Sequence, residues 1–379
     1  MRKSELKGKK LAVIGASYLQ LPLVMKARQL SMEVHCFAWE EGAVCREYAD
    51  FFYPISVVEK ERILDKCREV GIEGVMTIAS DVAVITVNYV AHHLGLVANP
   101  LSSTEITTNK YKMRDCFARH GIPSPSYAIV EGTAPLTLAN FQYPVIVKPT
   151  DRSGSRGVTL VESATELEAA VLQAQAESFA HQAIIEEYVV GKEVSVESIS
   201  FEGKHYILQI TDKVTTGAPH FVELEHHQPS MLPVSIQEEI KKWVPRALDA
   251  LQIKNGASHS ELKIMQDGQI RFIEIGARMG GDFIGSHLVR LSTGYDFLQG
   301  VLEVSMNNFT PPCIKEKHYA GVYFLSAETR RLLPIFEQAS SYPEIKEYAV
   351  TDPELRDITC SADRSGYLIY QSDNGKFEL

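Results

Sequence analysis

The first hundred residues alternate short apolar runs with helical patterns, and few folds accommodate that order. Residues 10–38 give a strand (LAVIG), a helix through residues 23–30, and a second strand (EVHCFAW). Further apolar segments at 74–79 and 96–98 are separated by the helical patterns ERILDKCREVG and VAVITVNYVAHHLG. Strands that alternate with helices form a parallel sheet covered by helices. We therefore predict an α/β domain over residues 1–100.

The next two hundred residues change to antiparallel patterns. FQYPVIVKP predicts a strand, followed by a glycine-bearing turn, a second strand, a helix and the strand QAIIEEYV. Alternation around Glu202 and Gly203 predicts a hairpin. After a long helix, SIQEEIKKWVPRALDALQI, the turn at Asp267 and Gly268 predicts another hairpin.

These patterns divide the remaining chain into two further domains. Residues 101–305 form one domain, with a lid over about residues 121–188. Residues 306–379 mix strands with a short helix and form a small C-terminal α+β domain that carries no chemical motif. The sequence leaves open whether this last segment covers the site or contacts a neighbouring subunit.

Charge and composition exclude several classes of protein. The chain has 38 Lys+Arg against 48 Asp+Glu, a net charge of -10, so binding nucleic acid or an anionic membrane is not its primary task. No apolar run approaches the ~20 residues that span a bilayer, and the N-terminus lacks the features of a secretion signal. The six cysteines are scattered, without metal-site spacing. We predict a cytoplasmic protein with reduced cysteines.

The turn over residues 15–20 follows the first strand, where dinucleotide-binding proteins carry G-x-G-x-x-G. Glycine would be needed at positions 17 and 20, which are Ser17 and Gln20 here. Ahead of Pro22, the turn can still present backbone N–H groups at a helix N-terminus to a carboxylate or phosphate. A loop that faces substrate and a purely structural turn both stay open.

Lys148 ends the apolar strand VIVK, and a turn with Gly154 and Gly157 follows it. Backbone N–H groups of such a turn can close over phosphate oxygens, while Lys148 and Arg156 supply positive charge. A solvated hairpin tip has the same composition, so this turn alone does not establish a phosphate site.

Glu261 and Glu274 lie 13 residues apart, on two strands that a two-residue turn makes antiparallel neighbours. They alternate with leucine and isoleucine residues, which indicates that the carboxylates do not share the core face. Two carboxylates so placed suit Mg²⁺, which takes oxygen ligands and shares them with phosphate oxygens.

In order and spacing, these motifs resemble the ATP-grasp superfamily of carboxylate–amine ligases over residues 8–305. The shared elements are a lysine in a cap-helix segment, V-I-V-K-P, S-G-S-R-G, E-E-Y-x-x-G-x-E, and E-L-K followed 13 residues later by E-I-G-A-R-x-G-G. The resemblance implies an ATP-grasp fold: an N-terminal parallel-sheet pre-ATP-grasp domain, a two-lobed nucleotide-binding domain and a small C-terminal domain. It also implies ATP, Mg²⁺ or Mn²⁺ and small-molecule substrates, and it favours a homodimer.

The resemblance further implies a role for each matching residue. Lys110 and Lys148 would contact the α- and β-phosphates, and Glu261 and Glu274 would bind the Mg²⁺ ions. Arg278 would face the γ-phosphate and the acyl oxygen of the substrate, which makes Arg278 and Lys148 the expected catalytic residues.

The other nucleotide contacts would come from the glycine-bearing turn and from the end of the strand QAIIEEYV. Glu186, with the backbone of Tyr188 and Val189, would hold the adenine edge, and Glu193 would accept from the ribose hydroxyls. The loop over the triphosphate would comprise Ser153, Gly154, Ser155, Arg156 and Gly157.

One position departs from the family pattern, and the substrate site is less clearly defined. Gly276 stands where many relatives have Asn as a third metal ligand, so the second ion would have fewer protein ligands. Gly280 and Gly281, just beyond Arg278, are expected to face the substrate. His259, two residues before Glu261, is a candidate to support that metal ligand.

Residues 218–230, which we predict to be a loop, resemble the acceptor-side loop of L-amino-acid (dipeptide) ligases. In those enzymes a Glu and a His at the positions of Glu223 and His226 contact the amino-acid substrate. A carboxylate could hold the substrate ammonium, and a histidine with a pKa near 6.5 could accept its proton. A solvated polar loop is the alternative.

The implied reaction activates a small carboxylic acid, an amino acid above all, as an acylphosphate and joins it to an amine, releasing ADP and phosphate. No Ser-His-Asp or Cys-His arrangement is evident, and this reaction requires none. Two alternatives stay open: a purine-biosynthesis-type ATP-grasp ligase or carboxylase, and a non-catalytic nucleotide-binding protein that kept the fold.

Overall fold

The computed structural model describes residues 5–132, 142–152, 154, 156–314 and 316–377. Within these ranges the strands form three sheets, and helices pack on them. No helix in these ranges is both long enough and apolar enough to cross a membrane.

The N-terminal sheet confirms the predicted parallel α/β unit. Its elements are β1 (Lys10–Ile14), α1 (Leu21–Gln29), β2 (Glu33–Phe37), a 3₁₀ turn (Val44–Glu47), β3 (Phe51–Tyr53), α2 (Lys60–Val70), β4 (Gly74–Met76) and α3 (Asp81–Leu94). The strand order is β3-β2-β1-β4, and every pair is parallel. Leu11 and Val13 pack on one face of β1, Ala12 and Ile14 on the other. Burial on both faces explains why the strand is apolar throughout.

The prediction of a strand at residues 96–98 is wrong. Residues 96–98 form no strand, although Leu96 and Ala98 pack against the core beside α2 and α3. The fourth strand is β3, which pairs with β2 at the sheet edge. A short apolar run can be buried in a connection as well as in a strand, so the pattern alone does not separate the two.

A second sheet is antiparallel and lies within the predicted lid. It follows two helices, α4 (Leu101–Thr107) and α5 (Lys110–Arg119), and comprises β5 (Tyr127–Glu131), β6 (Val145–Pro149), β7 (Thr159–Val161), α6 (Ala164–Glu177) and β8 (Gln182–Glu187). The strand order is β5-β8-β6-β7. Leu167, Ala170 and Val171 of α6 pack against Val147 and Ile185 of the sheet.

The third sheet has eight strands, and all neighbouring pairs are antiparallel. Its first part comprises β9 (Lys192–Phe201), β10 (Lys204–Thr215), β11 (Glu223–Gln228), α7 (Val234–Ala250), β12 (Gly256–Ile264) and β13 (Ile270–Gly276). A π-helical turn (Ile284–Leu288), α8 (Val289–Thr293) and α9 (Phe297–Ser305) follow. The C-terminal part comprises β14 (Tyr319–Leu325), 3₁₀ turns (Arg330–Leu332, Ala339–Ser341 and Ser361–Asp363), α10 (Leu333–Glu337), β15 (Ile345–Val350) and β16 (Gly366–Ser372). The strand order is β13-β12-β9-β10-β11-β14-β16-β15.

Where β9, β12 and β13 pack on α7, period-two alternation gives the sheet one core face and one polar face. Val194, Val196, Leu262 and Phe272 pack in the cluster that includes α7. The residues between them point away from α7, and the strand register aligns them in rows. One row crosses four strands and contains Lys263, Glu193, Lys213 and His226.

The prediction that residues 218–230 form a loop is wrong for Glu223–Gln228. These residues form β11, which pairs with β10 on one side and β14 on the other. The sequence ELEHHQ lacks the apolar alternation of a half-buried strand, because β11 carries polar groups on both faces. His226 faces the same side as Lys213, while Glu225 and His227 face Tyr370.

The C-terminal segment continues the sheet of the central domain. β14 pairs with β11, and β16 and β15 extend the sheet further. Glu225 Oε2 lies 2.9 Å from His227 Nε2 and 3.0 Å from Lys376 Nζ, and Glu225 Oε1 lies 3.0 Å from Arg331 Nη2. The predicted boundary at residue 305 therefore separates strands that share one sheet, and the domain boundaries stay predictions.

We expect Glu225→Gln to lower stability near neutral pH. Burial favours a higher pKa of the Glu225 carboxyl, but the hydrogen bond with His227 and the charge of Lys376 outweigh burial and lower the pKa to about 2. Because this value lies below the ordinary 4.5, the carboxylate stabilises the fold above about pH 4.5 and loses that contribution as the pH falls toward 2.

Urea unfolding of both proteins at pH 6 and pH 3 checks this expectation. The difference in unfolding free energy between them should be at most about 3 kcal/mol at pH 6, and smaller at pH 3. Equal differences at the two pH values would contradict the assigned role.

Candidate active site

A cavity of about 580 Å³ is lined by residues from all three sheets and their connections. It contains the expected phosphate-binding lysines, both expected metal carboxylates and the expected catalytic arginine. The predicted site residues that line it are Lys110, Lys148, Gly154, Arg156, Glu186, Tyr188, Val189, Glu193, Glu223, His226, Glu261, Glu274, Arg278 and Gly281. Ser153 and Ser155 lie outside the described residues.

Glu261 and Glu274 are direct cross-strand partners in β12 and β13. The connection is one residue longer than predicted: Met265 pairs with Gln269 across a three-residue turn. A bulge next to Leu262 then leaves Ile273 as an extra residue, and it lines the cavity instead of the core. The longer turn and the bulge compensate, so both carboxylates lie on the same face of the sheet.

Lysines contact both carboxylates. Lys110 Nζ lies 2.8 Å from Glu274 Oε1 and 2.8 Å from the carbonyl oxygen of Arg152. The second contact connects α5 to the turn after β6. Lys213 Nζ lies 2.6 Å from Glu261 Oε1. Burial alone would lower the pKa of Lys110, but Glu274 outweighs it and raises that pKa.

Lys213 was missed by the sequence analysis. Besides Glu261, its ammonium lies 3.1 Å from Glu193 and 3.6 Å from Glu223. Burial opposes its charge, yet these carboxylates raise the pKa of Lys213 well above its ordinary value. If the hairpin paired without irregularity from the turn at Glu202 and Gly203, Lys213 would not lie opposite Glu193. The register shift between Ile207 and Gln209 brings these two residues opposite each other.

Lys148 and Glu186 belong to a buried ionic group that includes Arg114, which the sequence analysis also missed. Lys148 Nζ lies 2.7 Å from Glu186 Oε2, and Arg114 Nε lies 2.9 Å from Glu186 Oε1. Burial lowers the pKa of Lys148 more than Glu186 raises it. The carboxylate that we predicted to hold adenine thus pairs with the lysine that we predicted to contact phosphate, and both of these ligand contacts stay predictions.

Arg278 is held by Asp81, the first residue of α3. Arg278 Nε lies 2.8 Å from Asp81 Oδ1, and Nη2 lies 3.0 Å from Oδ2, so the pair is bidentate. A Cβ atom at Gly276 would meet Asp81 Oδ1 at 2.9 Å and Arg278 Nε at 3.1 Å. The ion pair therefore occupies the space that a side chain at position 276 would need.

We expect Gly276→Asn to displace this ion pair and to lower the unfolding free energy by about 1–3 kcal/mol, as overpacking does. Asp81→Ala removes the carboxylate that the new side chain would meet. In a double-mutant cycle measured by urea unfolding, the double variant should be more stable than the two single effects add up to. Additive effects would show that Asp81 does not exclude a side chain at position 276.

His259 on β12 connects Glu261, through Glu197, to the backbone at Gly280. Its Nε2 lies 3.3 Å from Glu261 Oε1, and its Nδ1 contacts the buried Glu197. Glu197 also accepts a hydrogen bond from the backbone N–H of Gly280 at 3.1 Å. Burial disfavours the imidazolium, but Glu197 and Glu261 outweigh it and raise the pKa of His259 to about 9. His259 therefore contacts Glu261, as predicted, and Gly280 packs behind the cavity wall.

The N-terminal turn reaches the same cavity. Ser17, Tyr18, Leu19 and Gln20 line it. The Gln20 side chain fixes the turn, because it accepts from the Ser17 backbone at 3.1 Å and donates to the carbonyl oxygen of Ile78 at 2.7 Å. The two alternatives for this turn are both met in part: the turn lines the cavity, and hydrogen bonds of Gln20 stabilise it locally. Gly157, by contrast, packs against Pro149 and Glu177.

Residues 141–286 match the family model of the ATP-grasp domain. The chain contains an ATP-grasp domain. A curated relative, the alanine–anticapsin ligase of Bacillus subtilis, is 27% identical over 299 residues, which are 68% of this chain and 62% of that protein. Carnosine synthase 1 of Gallus gallus is 25% identical over 86% of this chain and 38% of its own length. The chain thus spans about three fifths, or less, of the length of these two relatives.

Solved structures share the fold along nearly the whole chain. The L-amino acid ligase of Bacillus licheniformis has a TM-score of 0.79 and 23% identity, covering 97% of this chain and 94% of that one. Phosphoribosylglycinamide synthetase of Anaerococcus prevotii has a TM-score of 0.75 and 18% identity, covering 97% and 95%. The predicted ATP-grasp fold is therefore confirmed.

The acidic residues of the ATP-grasp domain fit a magnesium–nucleotide site. Glu261 and Glu274 present oxygens from opposite positions of one hairpin, and lysines neutralise them here. Among the described residues, no group of three or more His, Cys, Asp or Glu side chains is arranged to hold a metal. Mg²⁺ is commonly bound by one or two carboxylates together with phosphate oxygens and water, so two glutamates suffice as protein ligands.

Proposed function

We propose that this chain is an ATP-dependent carboxylate–amine ligase that activates a small carboxylic acid, an amino acid by preference, as an acylphosphate and joins it to an amine. The observation that carries the proposal is the opposed pair Glu261 and Glu274 in one cavity with Lys110, Lys148 and Arg278. The names of the relatives, a ligase and a synthase, support it.

In the first step a carboxylate oxygen of the acid attacks the γ-phosphorus, and the bond to the β–γ bridging oxygen breaks to release ADP. Both reactants are anionic, so their approach requires positive charge. Lys110 and Lys148 would hold the nucleotide phosphates, and the turn with Gly154 and Arg156 would cover them. Mg²⁺, held by the two glutamates, would neutralise phosphate charge when bound.

In the second step the neutral amine nitrogen attacks the acyl carbon, and phosphate leaves with the former carboxylate oxygen and carries away the proton that the nitrogen loses. Arg278 would stabilise the oxyanion of the tetrahedral intermediate, a contribution of roughly 3–4 kcal/mol for one well-placed donor. Asp81 keeps the guanidinium in a fixed orientation. Glu223 and His226 would contact the amino-acid substrate.

Purine-biosynthesis-type ligases share the fold, but the charges in this cavity argue against a phosphoribosyl substrate. Such a substrate carries a phosphate, which needs unpaired basic groups. Next to Glu223 the cations are Lys213 and Arg364, and both are already paired with carboxylates. The sequence feature that would support a non-catalytic role is Gly276, which lacks the side chain of a third metal ligand. The Asp81–Arg278 pair gives that glycine a steric reason.

A phosphate-release screen with mass detection of products tests the proposal. Purified protein with MgATP should release phosphate with one or more pairs of amino acids and form the corresponding amide. Stimulation only by bicarbonate or by a phosphoribosylamine would favour the purine-type alternative. ATP binding without turnover on any substrate would favour a binding protein. A cytoplasmic location and a homodimer stay predictions.

A further inference from the structure

Glu197, on β9, is a carboxylate buried behind the wall of the cavity. None of its side chain is exposed, and it does not line the cavity. In the sheet it lies opposite His259 of β12 on one side and Gln209 of β10 on the other. A carboxylate is costly to remove from water unless its oxygens accept hydrogen bonds. The partners of Glu197 therefore indicate what this residue does.

The two oxygens of Glu197 contact two different parts of the site. Oε2 accepts a hydrogen bond from the backbone N–H of Gly280 at 3.1 Å, and Oε1 contacts His259 Nδ1. His259 stands two residues before Glu261 on β12, and Gly280 stands two residues after Arg278. One buried side chain thus connects the strand of a predicted metal ligand with the segment of the predicted catalytic arginine.

The contact with Glu197 determines the orientation of the His259 ring. Because Nδ1 is directed at Glu197, Nε2 is directed at the cavity, where it lies 3.3 Å from Glu261 Oε1. Residues that hold a metal ligand from behind fix its orientation, and their replacement lowers metal affinity by about 10- to 100-fold. Glu197 is therefore placed to act on Glu261 through the imidazole.

Gly280 is a glycine because the space beside it is occupied. A Cβ atom there would lie 2.7 Å from His259 Nδ1 and 2.8 Å from Glu197 Oε1, closer than non-bonded atoms normally approach. Gly280 does not have a left-handed backbone conformation, so its φ does not require glycine. The contact between Glu197 and His259 accounts for this position.

The N-terminal unit holds the same segment from another direction. The backbone N–H of Ala79 donates to the carbonyl oxygen of Met279 at 3.2 Å. Met279 lies between Arg278 and Gly280. The backbone that follows the arginine is thus bonded to the N-terminal unit at Met279 and to Glu197 of the central sheet at Gly280.

We propose that Glu197 is a positioning residue for both groups: through His259 it keeps Glu261 in place as a metal ligand, and through the Gly280 N–H it fixes the segment that carries Arg278. The inference rests on the proposed ligase function and adds a residue that lines no part of the cavity. Buried charged pairs contribute little net stability compared with apolar side chains of similar size. A purely structural role would therefore not require a glutamate here.

The proposed role depends on geometry, and glutamine can reproduce that geometry. Its amide oxygen can accept from the Gly280 N–H, and its NH₂ group can donate to Nδ1 of a neutral His259. The imidazole then still donates from Nε2 to Glu261. Leucine offers neither a donor nor an acceptor. The two replacements at position 197 therefore separate positioning from the mere filling of space.

The test measures Mn²⁺ binding in the presence of ADP, from the EPR signal of free Mn²⁺. Glu197→Leu should weaken Mn²⁺ binding by about 10- to 100-fold, and Glu197→Gln should stay within about threefold of the wild-type value. ADP binding in EDTA, measured by calorimetry, should change little in both variants, because Glu197 does not line the cavity. This second measurement also verifies that the variants are folded.

Glu225→Leu is the matched control. Glu225 is also a buried carboxylate that contacts a histidine, but it lies on β11 and on the opposite face of the sheet. Its Mn²⁺ affinity should equal that of the wild type. Gly280→Ala tests the same contact without replacing Glu197. Its methyl group would displace the Glu197 and His259 side chains and should weaken Mn²⁺ binding by about 10-fold.

The outcomes distinguish this inference from the proposed function. If Glu197→Leu keeps wild-type Mn²⁺ affinity, or if Glu197→Gln loses as much as Glu197→Leu, Glu197 does not act by positioning, while the ligase function stands. If Glu197→Leu does not fold, wild-type Mn²⁺ affinity in Gly280→Ala has the same consequence. Weakened binding in Glu225→Leu would assign the effect to the sheet as a whole and overturn the inference. If the wild-type protein with ADP binds no Mn²⁺, the proposed function loses its metal site as well.

Discussion

Replacing Glu274 by glutamine should lower kcat by about 1,000-fold or more and leave the protein folded. The amide has nearly the same shape but no charge, so it is a poor ligand for a hard divalent cation. A metal contributes several kcal/mol to the stabilisation of phosphoryl transfer, and about 4 kcal/mol corresponds to three factors of ten. Phosphate release under saturating MgATP measures the loss, and titration of Mn²⁺ with ADP present measures metal affinity directly.

Asp267→Asn is the control for this variant. Asp267 lies in the turn of the same hairpin, and its carboxylate bonds only to Gln269 in the described structure. Its kcat should stay within about twofold of the wild-type value. Wild-type turnover and Mn²⁺ affinity in Glu274→Gln would show that the opposed carboxylates do not hold the metal, and the proposed function would lose its main support.

Arg278→Lys should lower kcat by about 100- to 1,000-fold with little change in the affinity for ATP. Lysine keeps the charge but lacks the planar guanidinium, which Asp81 holds through two hydrogen bonds. The oxyanion would lose a fixed hydrogen-bond donor, and the loss of one such donor lowers kcat by about 100- to 1,000-fold in other acyl-transfer enzymes. Single-turnover measurement of product formation, together with ATP-analogue binding by calorimetry, separates the catalytic step from nucleotide binding.

Arg246→Lys provides the comparison. Arg246 lies on α7, on the other face of the sheet, where it stacks on Trp243. Its replacement should leave kcat unchanged. If Arg278→Lys weakens ATP-analogue binding as much as it lowers kcat, the arginine binds the nucleotide in the ground state and does not act mainly on the oxyanion.

The pairing of Glu261 with Glu274 shows how far the sequence could go. Thirteen residues and a turn predict opposed carboxylates, and the structure has them. The prediction assumed a two-residue turn, whereas the turn has three residues and Ile273 forms a bulge. With either deviation alone, the two side chains would lie on opposite faces, because a one-residue slip reverses every side chain. Sequence spacing alone does not predict that the longer turn and the bulge offset each other.

The partners of the predicted residues were harder to infer than the residues themselves. Lys110, Lys148 and Arg278 were found through motifs, but Glu186 was not predicted to bind Lys148, nor Asp81 to bind Arg278. Asp81 lies 197 residues from Arg278, in another sheet unit. No local pattern relates two such positions, since only the packing of the N-terminal unit on the central sheet brings them together.

The amino-acid sequence determined the parallel N-terminal sheet, the antiparallel hairpins and several charged residues that line the cavity, among them Lys148, Glu261, Glu274 and Arg278. The sheets follow from apolar periodicity, which acts locally, and the cavity residues follow from motifs that resemble those of the ATP-grasp superfamily. The tertiary structure alone decided that ELEHHQ is a strand, that Lys213 lies between three carboxylates, and that Arg364 from the C-terminal segment meets Asp282. The physical reason is that register shifts and the pairing of distant strands determine which side chains meet, and both depend on packing across the whole chain.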